Sequence, residues 1–445
     1  MISVNVVRWL AGYGTGLLGE QLYYITLAWT AAQVASPTQL GLILAAGAVP
    51  RALFLLFGGA LADRIGPKPV ALASDTARFL ALTVLTAAAF MKMTEAHFLI
   101  GFSILFGFLS AMFLPATGAM PPLLVASTHL AKVQAARSLL QRLALVTGPP
   151  IAGLLLVQAG APIAFGVAAM LTLVSIAALF LTKLHGIAGV HISQSTEPYK
   201  PASSPEEPVR DASGEHRVKF LIIEDVRAGL SYVLHHKVLL PLLMVTAVAE
   251  IAVTGPITAG VPLLAVSRQW GAEGLGFVLA GFGLGATVTA LIIMMVGKVP
   301  YAGRIALSSV IIMGPSLAAV GTATDLPVAV AAGVATGLCG GICGTLISTF
   351  VMTVCESTQM GRVLSLVSLA TLGGAPLSIA VTGLYVQATE PSNAFVAGGV
   401  LVTCVGVIAF WIPSLRRAQL VDPAATHSQP TSARSSSPSM KEERT

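Results

Sequence analysis

The 445-residue chain is 55% hydrophobic and only 10% charged, whereas soluble domains carry about a quarter charged residues. Its net charge of +6 and mean hydropathy of +0.84 come with basic residues in short clusters between long apolar runs. This distribution excludes a soluble domain and a basic nucleic-acid-binding face, because clustered positive charge is typical of the loops that flank membrane helices. Several runs approach the roughly 20 residues that a helix needs to cross a bilayer. We predict an all-α integral membrane protein.

Twelve apolar segments are predicted to be transmembrane helices, numbered here as spans one to twelve. Spans one to six cover about residues 7–34, 39–62, 71–91, 97–123, 138–159 and 162–182. Spans seven to twelve cover about residues 239–266, 275–297, 304–322, 327–354, 363–388 and 393–413. Most connecting loops are short, so successive helices are expected to be antiparallel neighbours.

One long polar segment separates six spans from the other six. Residues 183–237 are rich in Ser, Pro and charge, a composition that predicts a largely disordered linker. The predicted organisation is a six-helix bundle over 1–182, the linker over 183–237, a second bundle over 238–415 and a disordered tail over 416–445. The first apolar run is too long for a cleaved signal peptide, and no small-residue cleavage site follows it.

Lysine and arginine lie mainly on one side of this topology. That side carries Arg64, Lys68, Lys132, Arg137, Lys298, Arg304, Arg362, Arg416 and Arg417. The other side offers little beyond Lys92 and Arg268. Because positively charged loops remain in the cytoplasm, we expect a multi-pass protein of the cytoplasmic membrane, with both termini and the linker inside.

The loop between spans two and three contains a compact charged motif. It reads GALADRIGPK and places Gly59, Asp63, Arg64, Gly66 and Lys68 in a fixed spacing. The motif resembles the signature loop of the major facilitator superfamily, Gly-x-x-x-Asp-Arg/Lys-x-Gly-Arg/Lys-Arg/Lys, although two prolines replace part of the basic cluster. The resemblance implies two pseudo-symmetric six-helix bundles that transport by alternating access.

The same resemblance implies a gating latch on the cytoplasmic side. The glycine at position 66 permits a tight turn, and Asp63 can accept hydrogen bonds from the unpaired N–H groups of a facing helix N-terminus. In the superfamily that helix is span eleven, which begins here near Arg362. The expected latch comprises Gly59, Asp63, Arg64, Gly66, Lys68 and Arg362.

Other segments resemble the enterobactin-exporter and macrolide-efflux branch of the superfamily, among them LLGEQLYYITLAW, FLPATGAMPPLLV and GRVLSLVSLATLGGAPL. In span five, Gly148, Pro149 and Gly153 match the Gly-Pro-x-x-Gly antiporter signature of drug exporters. Proline kinks a helix and small residues allow close helix approach. In the functional interpretation, span five packs closely against Gly281 and Gly285 of span eight, and this seam closes the cavity on the outer side of the membrane. The alternative is that span five is an ordinary kinked membrane helix.

Three ionisable residues lie near the middle of apolar spans: Glu20, Arg51 and Glu250. A charge at mid-bilayer costs at least ~2.5–3.5 kcal/mol, and such residues usually mark transport pathways or proton relays. We predict that Glu20 and Glu250 carry protonation coupled to transport, with Arg51 setting the acidity of Glu20. Glu250 should release its proton when the cavity opens to the cytoplasm, whereas Glu20 should stay ionised for longer and bind Arg51 or a cationic substrate. The alternative is a structural Glu20–Arg51 pair with a neutral, hydrogen-bonded Glu250. Asp75 and Arg78 are predicted to form a local salt bridge that braces the first loop.

The family resemblance further implies a cavity between spans one, four, seven and ten. These spans contribute Tyr23, Tyr24, Phe102, Phe106, Met112 and Phe113. Such an apolar lining suits hydrophobic or amphipathic compounds, cationic ones included, although each aromatic residue could instead serve packing. Cys339 and Cys343 share one helical face, as small packing residues or as a metal or redox pair.

The sequence shows no phosphate loop, no metal-ligand cluster and no nucleophile with an adjacent base. We therefore expect no enzymatic activity, no cofactor and no bound metal. The predicted function is secondary active export of a drug, siderophore or secondary metabolite, with protons as the coupling ion. The expected partners are the small molecule, protons and the lipid bilayer, without nucleic acid, and the expected state is a monomer. The alternatives are an importer or uniporter on the same fold, and a non-transporting membrane receptor or scaffold.

Overall fold

The computed structural model describes residues 3–183, 236, 239–296, 299–354 and 360–416, with side chains for all of these except residue 56 and residues 351–372. In the N-terminal half, spans one to four are Val4–Val34, Pro37–Ile65, Pro67–Phe90 and Ala96–Gly118. A short helix, Pro121–Leu124, precedes the helix Ser127–Leu181, which contains spans five and six. The described residues of this half contain no β-strand.

In the C-terminal half, span seven consists of Leu239–Gly255, a π-helical turn Pro256–Gly260, and Val261–Ser267. Spans eight to twelve are Gly271–Val296, Ala302–Thr322, Leu326–Val354, Met360–Ala388 and Pro391–Phe410, and a short helix Pro413–Arg416 follows. Nearly all of the predicted linker and tail lie outside the described residues. The helix of span five begins at Ser127 rather than near residue 138, because the polar residues before the apolar run continue the helix.

Local sequence signals set several helix boundaries. Ser36 and Gln39 form a capping box at the start of span two, with hydrogen bonds of 3.3 Å and 3.0 Å, and Pro37 follows at the first helical position. Gly66 has φ 103° between spans two and three, and Gly160 has φ 78° between spans five and six. Glycine adopts this left-handed region without steric cost, so both turns depend on it.

The described helices include nine that are long and apolar enough to cross a membrane, and one of these, Ser127–Leu181, holds two spans. Span one has the length but a lower hydropathy, because it carries polar residues such as Glu20 and Gln21. The architecture is an all-α membrane protein of twelve spans in two six-helix bundles.

The two bundles share one apolar core only on the side opposite the termini. The buried residues of that core come from both halves and include Leu22, Phe165, Val261, Leu317 and Phe395. Toward the side where both termini lie, here called the termini side, the buried apolar residues form two separate clusters. One contains Trp9 and Phe113 and the other contains Leu307 and Met313, so each belongs to a single half. Apolar packing therefore joins the halves on the side opposite the termini.

Candidate functional site

Four charged side chains from spans one, two and three meet inside the N-terminal half. Glu20 Oε1 lies 2.9 Å from Arg51 Nη1, and Glu20 Oε2 lies 3.1 Å from Arg78 Nη2. Arg78 Nη1 also donates to Asp75 Oδ1 at 3.0 Å, and Ser175 of span six donates to Asp75 Oδ2 at 2.6 Å. Two positive and two negative charges thus balance in a network that joins four spans, which makes their burial tolerable.

Arg78 is the centre of this network, and sequence analysis missed that role. Its side chain is 0% exposed, and its Cζ lies 5.3 Å from the Phe106 ring centroid and 4.9 Å from that of Phe113. The predicted local pair with Asp75 is present, but Arg78 also reaches Glu20. Span three therefore supports span one rather than only the first loop.

The predicted aromatic lining of the cavity is largely wrong. Tyr23, Phe102, Phe106 and Phe113 are buried within the N-terminal half, where two of them enclose the Arg78 guanidinium in cation–π contacts. Among the six side chains expected to line the cavity, only Tyr24 and Met112 are half-buried.

Arg51 is the accessible member of the ion network. Its Nη1 donates to the Tyr24 hydroxyl at 3.1 Å, and its Cζ lies 5.5 Å from the Tyr24 ring centroid. The Arg51 side chain is 37% exposed, whereas that of Glu20 is 4% exposed. The carboxylate of Glu20 is thus enclosed by its two arginine partners, while the guanidinium of Arg51 remains partly open.

Glu250 has a different environment in the C-terminal half. It is half-buried in span seven, and its Oε1 accepts a hydrogen bond from Thr254 Oγ1 at 3.0 Å. No lysine or arginine among the described residues forms an ion pair with it. Glu20 and Glu250 therefore occupy corresponding helices but differ in charge compensation.

Span seven is interrupted about one turn after Glu250. The Gly255 amide donates to Ser378 Oγ of span eleven at 2.8 Å, and the same hydroxyl donates to the Ile251 carbonyl. A side chain inserted into the helical hydrogen-bond ladder produces a bend, and the π-helical turn Pro256–Gly260 follows immediately. The Gly-Pro pair at 255–256 is the sequence signal for this break.

The antiporter-type motif packs against two different helices. A Cβ atom on Gly153 would lie 2.6 Å from the Ala272 carbonyl oxygen, and one on Gly276 would lie 2.5 Å from the Pro149 carbonyl oxygen. These contacts join span five to span eight across the two halves. Gly148 faces the same half instead, because its Cβ would lie 2.6 Å from Gln21 Cβ in span one.

The predicted partners of this motif in span eight are wrong. Gly281 and Gly285 pack against span ten, where Cβ atoms would meet the carbonyl oxygens of Val330 and Val334. The seam extends toward the middle of the molecule through Arg142, whose Nη1 donates to the Ala286 carbonyl at 3.3 Å.

An apolar cavity of about 280 Å³ opens between spans one and five. Its lining includes Leu10, Leu18, Leu140, Leu143 and Ala144. The hydroxyls of Thr15 and Thr147 also line it, but each donates to a carbonyl of its own helix at 2.8 Å. The cavity therefore presents mainly apolar surface.

The charged loop has a structural role in its own half. Lys68 Nζ donates to the carbonyls of Phe180 at 3.0 Å and Thr182 at 2.6 Å, at the C-terminus of span six. A cation at this position stabilises the negative end of the helix dipole. The structure thus places Lys68 at the end of span six.

Among the described side chains, the remaining latch residues form no contact comparable to that of Lys68. Asp63 and Arg64 are exposed and form no ion pair with the side chains that the structure describes. Gly59 has space around it, whereas a Cβ on Gly58 would lie 2.7 Å from the Ala111 carbonyl oxygen of span four. The side chain of Arg362 lies outside the described residues.

Cys339 and Cys343 are buried thiols on span ten and form no disulfide. No group of three or more His, Cys, Asp or Glu residues in the described ranges is arranged to hold a metal ion.

Comparisons with known proteins agree with this architecture. The family profile "Major Facilitator Superfamily" matches residues 9–300. A search of curated proteins found no significant match. A POT family transporter in complex with thioalcohol conjugated peptide has a TM-score of 0.69 at 12% identity, covering 92% of this chain and 96% of its own. A POT family transporter in complex with 5-aminolevulinic acid has a TM-score of 0.68 at 13% sequence identity, and the match covers 91% of this chain and 96% of that transporter. An auto inhibited POT family peptide transporter has a TM-score of 0.67 at 12% sequence identity, and the match covers 95% of this chain and 98% of that transporter. Similarity at such low identity shows the fold, and the family profile shows that the chain belongs to the major facilitator superfamily of transporters.

Proposed function

We propose that this transporter exports a hydrophobic or amphipathic small molecule, such as a drug, siderophore or secondary metabolite, in exchange for protons. The observation that carries the proposal is Glu250, a half-buried carboxyl group in span seven with Thr254 as its only hydrogen-bonding partner in the described part of the chain. An uncompensated ionised carboxylate is costly in an apolar environment. Glu250 can therefore take up a proton when its surroundings close and release it when they open to water.

The network around Glu20 supports a division of roles between the two acids. Glu20 is paired with both Arg51 and Arg78, and moving it would break two buried ion pairs. We therefore assign the coupling proton to Glu250 and a structural role to Glu20. The geometry disfavours the direct contact between Glu20 and a cationic substrate that was considered from the sequence.

Export is supported by the seam between spans five and eight. Its glycine contacts close the side opposite the termini, as the antiporter-type motif predicts for an exporter. The apolar cavity between spans one and five suits a hydrophobic group. The proposal places the protein in the cell membrane with both termini in the cytoplasm, so that substrate enters from the cytoplasmic side. We further propose that the transporter is a monomer, that it belongs to the efflux branch of the superfamily, and that Asp63 forms part of a gating latch.

A direct test uses the purified protein in proteoliposomes with a panel of amphipathic fluorescent dyes. We expect an imposed pH gradient to drive dye transport by the wild type, and an uncoupler to abolish it. Glu250→Gln should lose at least about 90% of gradient-driven transport but retain dye exchange without a gradient, because binding does not need the charge. Glu390→Gln removes an exposed acid at a helix end and serves as the matched control.

Gradient-driven transport by Glu250→Gln at the wild-type rate would show that this residue does not couple protons to transport. Glu20→Gln separates the second role: we expect lower thermal stability with dye affinity within about twofold of wild type. A loss of affinity without a loss of stability would instead assign Glu20 to substrate binding.

An importer on the same fold is the second candidate, because the similar structures include a peptide transporter and complexes with a peptide conjugate and 5-aminolevulinic acid. The direction of dye movement relative to the proton gradient distinguishes the two. Movement of dye and protons in the same direction would favour import.

A further inference from the structure

We propose that Arg51 and Tyr24 form a binding site for an anionic oxygen group of the transported molecule, such as a carboxylate, phenolate or phosphate. The proposal rests on the proposed function and adds the charge of its substrate. It replaces the cationic preference that the composition of the spans had favoured.

The position of Arg51 in span two directs it toward the interior of the protein. Exposed apolar residues of this helix form a stripe that contains Leu42, Val49, Leu53 and Phe57. At 3.6 residues per turn, Arg51 lies on the opposite face from that stripe. Its contacts with Glu20 and Tyr24 of span one lie on this inner face. The exposed part of its side chain, 37%, therefore lies on the inner side of span two, away from the apolar stripe.

Most hydrogen-bonding groups at this site are donors, and the acceptor beside them, Glu20 Oε1, is buried against Arg51 without a hydrogen bond. Both contacts of the Arg51 guanidinium use Nη1, at 2.9 Å from Glu20 Oε1 and 3.1 Å from the Tyr24 hydroxyl. Its Nη2 and Nε form no hydrogen bond with the residues that the structure describes. The Tyr24 oxygen accepts from Arg51, so its own hydrogen is directed elsewhere. A set of unused N–H and O–H donors around one fixed cation matches an anionic oxygen group, since charge-assisted bonds of this kind are the strong ones.

The competing charges near this site are already neutralised. Glu20 is enclosed by Arg51 and Arg78, and Asp75 is held by Arg78 and Ser175. Neither carboxylate is therefore available to attract a cationic substrate. An exposed guanidinium at mid-membrane depth, by contrast, is stabilised by an anionic partner or by water.

Aromatic rings stand beside the donors. The Tyr24 ring centroid lies 5.0 Å from that of Tyr23 and 6.3 Å from that of Phe106. Tyr23 and Phe106 are buried and support the half-buried ring of Tyr24, so a flat apolar group can stack only on Tyr24 while its anionic end contacts Arg51. The chemistry of the site therefore favours an amphipathic anion with an aromatic or aliphatic body.

The test compares three probes with the same ring and different charge: naphthoate, naphthamide and naphthylmethylammonium. Binding to the purified full-length protein in detergent is measured by probe fluorescence. We expect naphthoate to bind about tenfold or more tightly than naphthamide, and the ammonium compound more weakly still. Arg51→Met should remove this preference, Arg51→Lys should keep part of it, and Tyr24→Phe should weaken naphthoate binding about two- to tenfold. Arg304→Met, at an exposed helix start in the other half, is the matched control and should bind like wild type.

Tyr24→Phe keeps the aromatic ring and removes only the hydroxyl, so it tests the site even if Arg51→Met fails to fold. Equal binding of the three probes, no binding of naphthoate to the wild type, or a naphthoate affinity unchanged in Tyr24→Phe would overturn the proposal. Binding is measured without a membrane or a gradient, so its outcome does not depend on proton coupling or on the direction of transport. Selective naphthoate binding with no gradient-driven transport would support the anion site and count against the proposed function alone.

Discussion

Gly153→Ala tests whether the seam between spans five and eight holds the halves together. The added Cβ would lie 2.6 Å from the Ala272 carbonyl oxygen and 3.1 Å from Glu273 Cα. Both are backbone atoms of the other half, so neither can rotate away as a side chain could. Overpacking of this kind costs about 1–3 kcal/mol.

This cost applies only while the seam is closed. An energy of about 1–3 kcal/mol shifts the equilibrium between closed and open seams by a factor of roughly 5–150. A population of roughly 99:1 in favour of the closed seam would become between about 95:5 and 40:60. Folding of span five should be preserved, because alanine favours helix formation over glycine.

Pulsed electron paramagnetic resonance can measure the shift with spin labels at Gln158 and Arg268 in a cysteine-free background. Both residues are exposed on the side opposite the termini, one in each half. We expect Gly153→Ala to add a population at longer distance. Gly276→Ala should do the same from span eight, since its Cβ would lie 2.5 Å from the Pro149 carbonyl oxygen.

The matched control is Gly101→Ala in span four, where no atom lies within 4 Å of an added Cβ. It should keep the wild-type distance distribution. If both seam variants also keep that distribution, the close glycine contacts do not determine which side is closed, and the argument from the seam is refuted.

Three further variants test the internal supports. Arg78→Met should lower the free energy of unfolding in detergent by about 3–5 kcal/mol, because two buried carboxylates each lose one arginine partner. Arg304→Met should change it by at most about 0.5 kcal/mol, and equal effects of the two variants would contradict the ion network. Lys68→Met should cost about 0.3–1 kcal/mol through the lost cap on span six, and full stability in thermal unfolding would count against that cap. Ser378→Ala should speed hydrogen exchange of the Gly255 amide, whereas Ser378→Thr, which keeps the hydroxyl, should not. Identical exchange rates in both variants would exclude the inserted hydroxyl as a stabilising contact of span seven.

The twelve-span architecture could be predicted because it depends on quantities that a sequence displays directly. The lengths of the apolar runs and the polar segment 183–237 separate six spans from six. The spacing of Gly59, Asp63 and Gly66 added the superfamily resemblance. None of these signals requires knowledge of how the helices rotate about their own axes.

The ion network could be predicted only in part, because it depends on those rotations. Asp75 and Arg78 are three residues apart on one helix, so their pairing follows from helix geometry. The contact between Arg78 and Glu20 joins spans one and three, which are not consecutive. Sequence spacing contains no information about which face of span three is directed at span one.

The seam shows a related limit. Gly281 and Gly285 drew attention because they are four residues apart, but span eight also carries small residues at 272, 276 and 283 on another face. The structure uses this second face against span five and the first against span ten. Small residues permit close contacts, but a helix with two faces of small residues does not reveal which partner each face meets.

The two halves hold their midspan acids in mechanically different ways. Glu20 belongs to the continuous helix Val4–Val34 and is tied by ion pairs to spans two and three. Glu250 belongs to a helix that is interrupted one turn later, where one neutral hydroxyl from Ser378 connects the broken ladder. A neutral hydrogen bond contributes about 0.5–1.5 kcal/mol, whereas breaking a buried ion pair costs about 3–5 kcal/mol. A change of charge at Glu250 therefore acts against a weaker restraint than the same change at Glu20. The same change at Glu20 would meet a network that resists movement, so under the proposed function we expect protonation to cause movement in the C-terminal half.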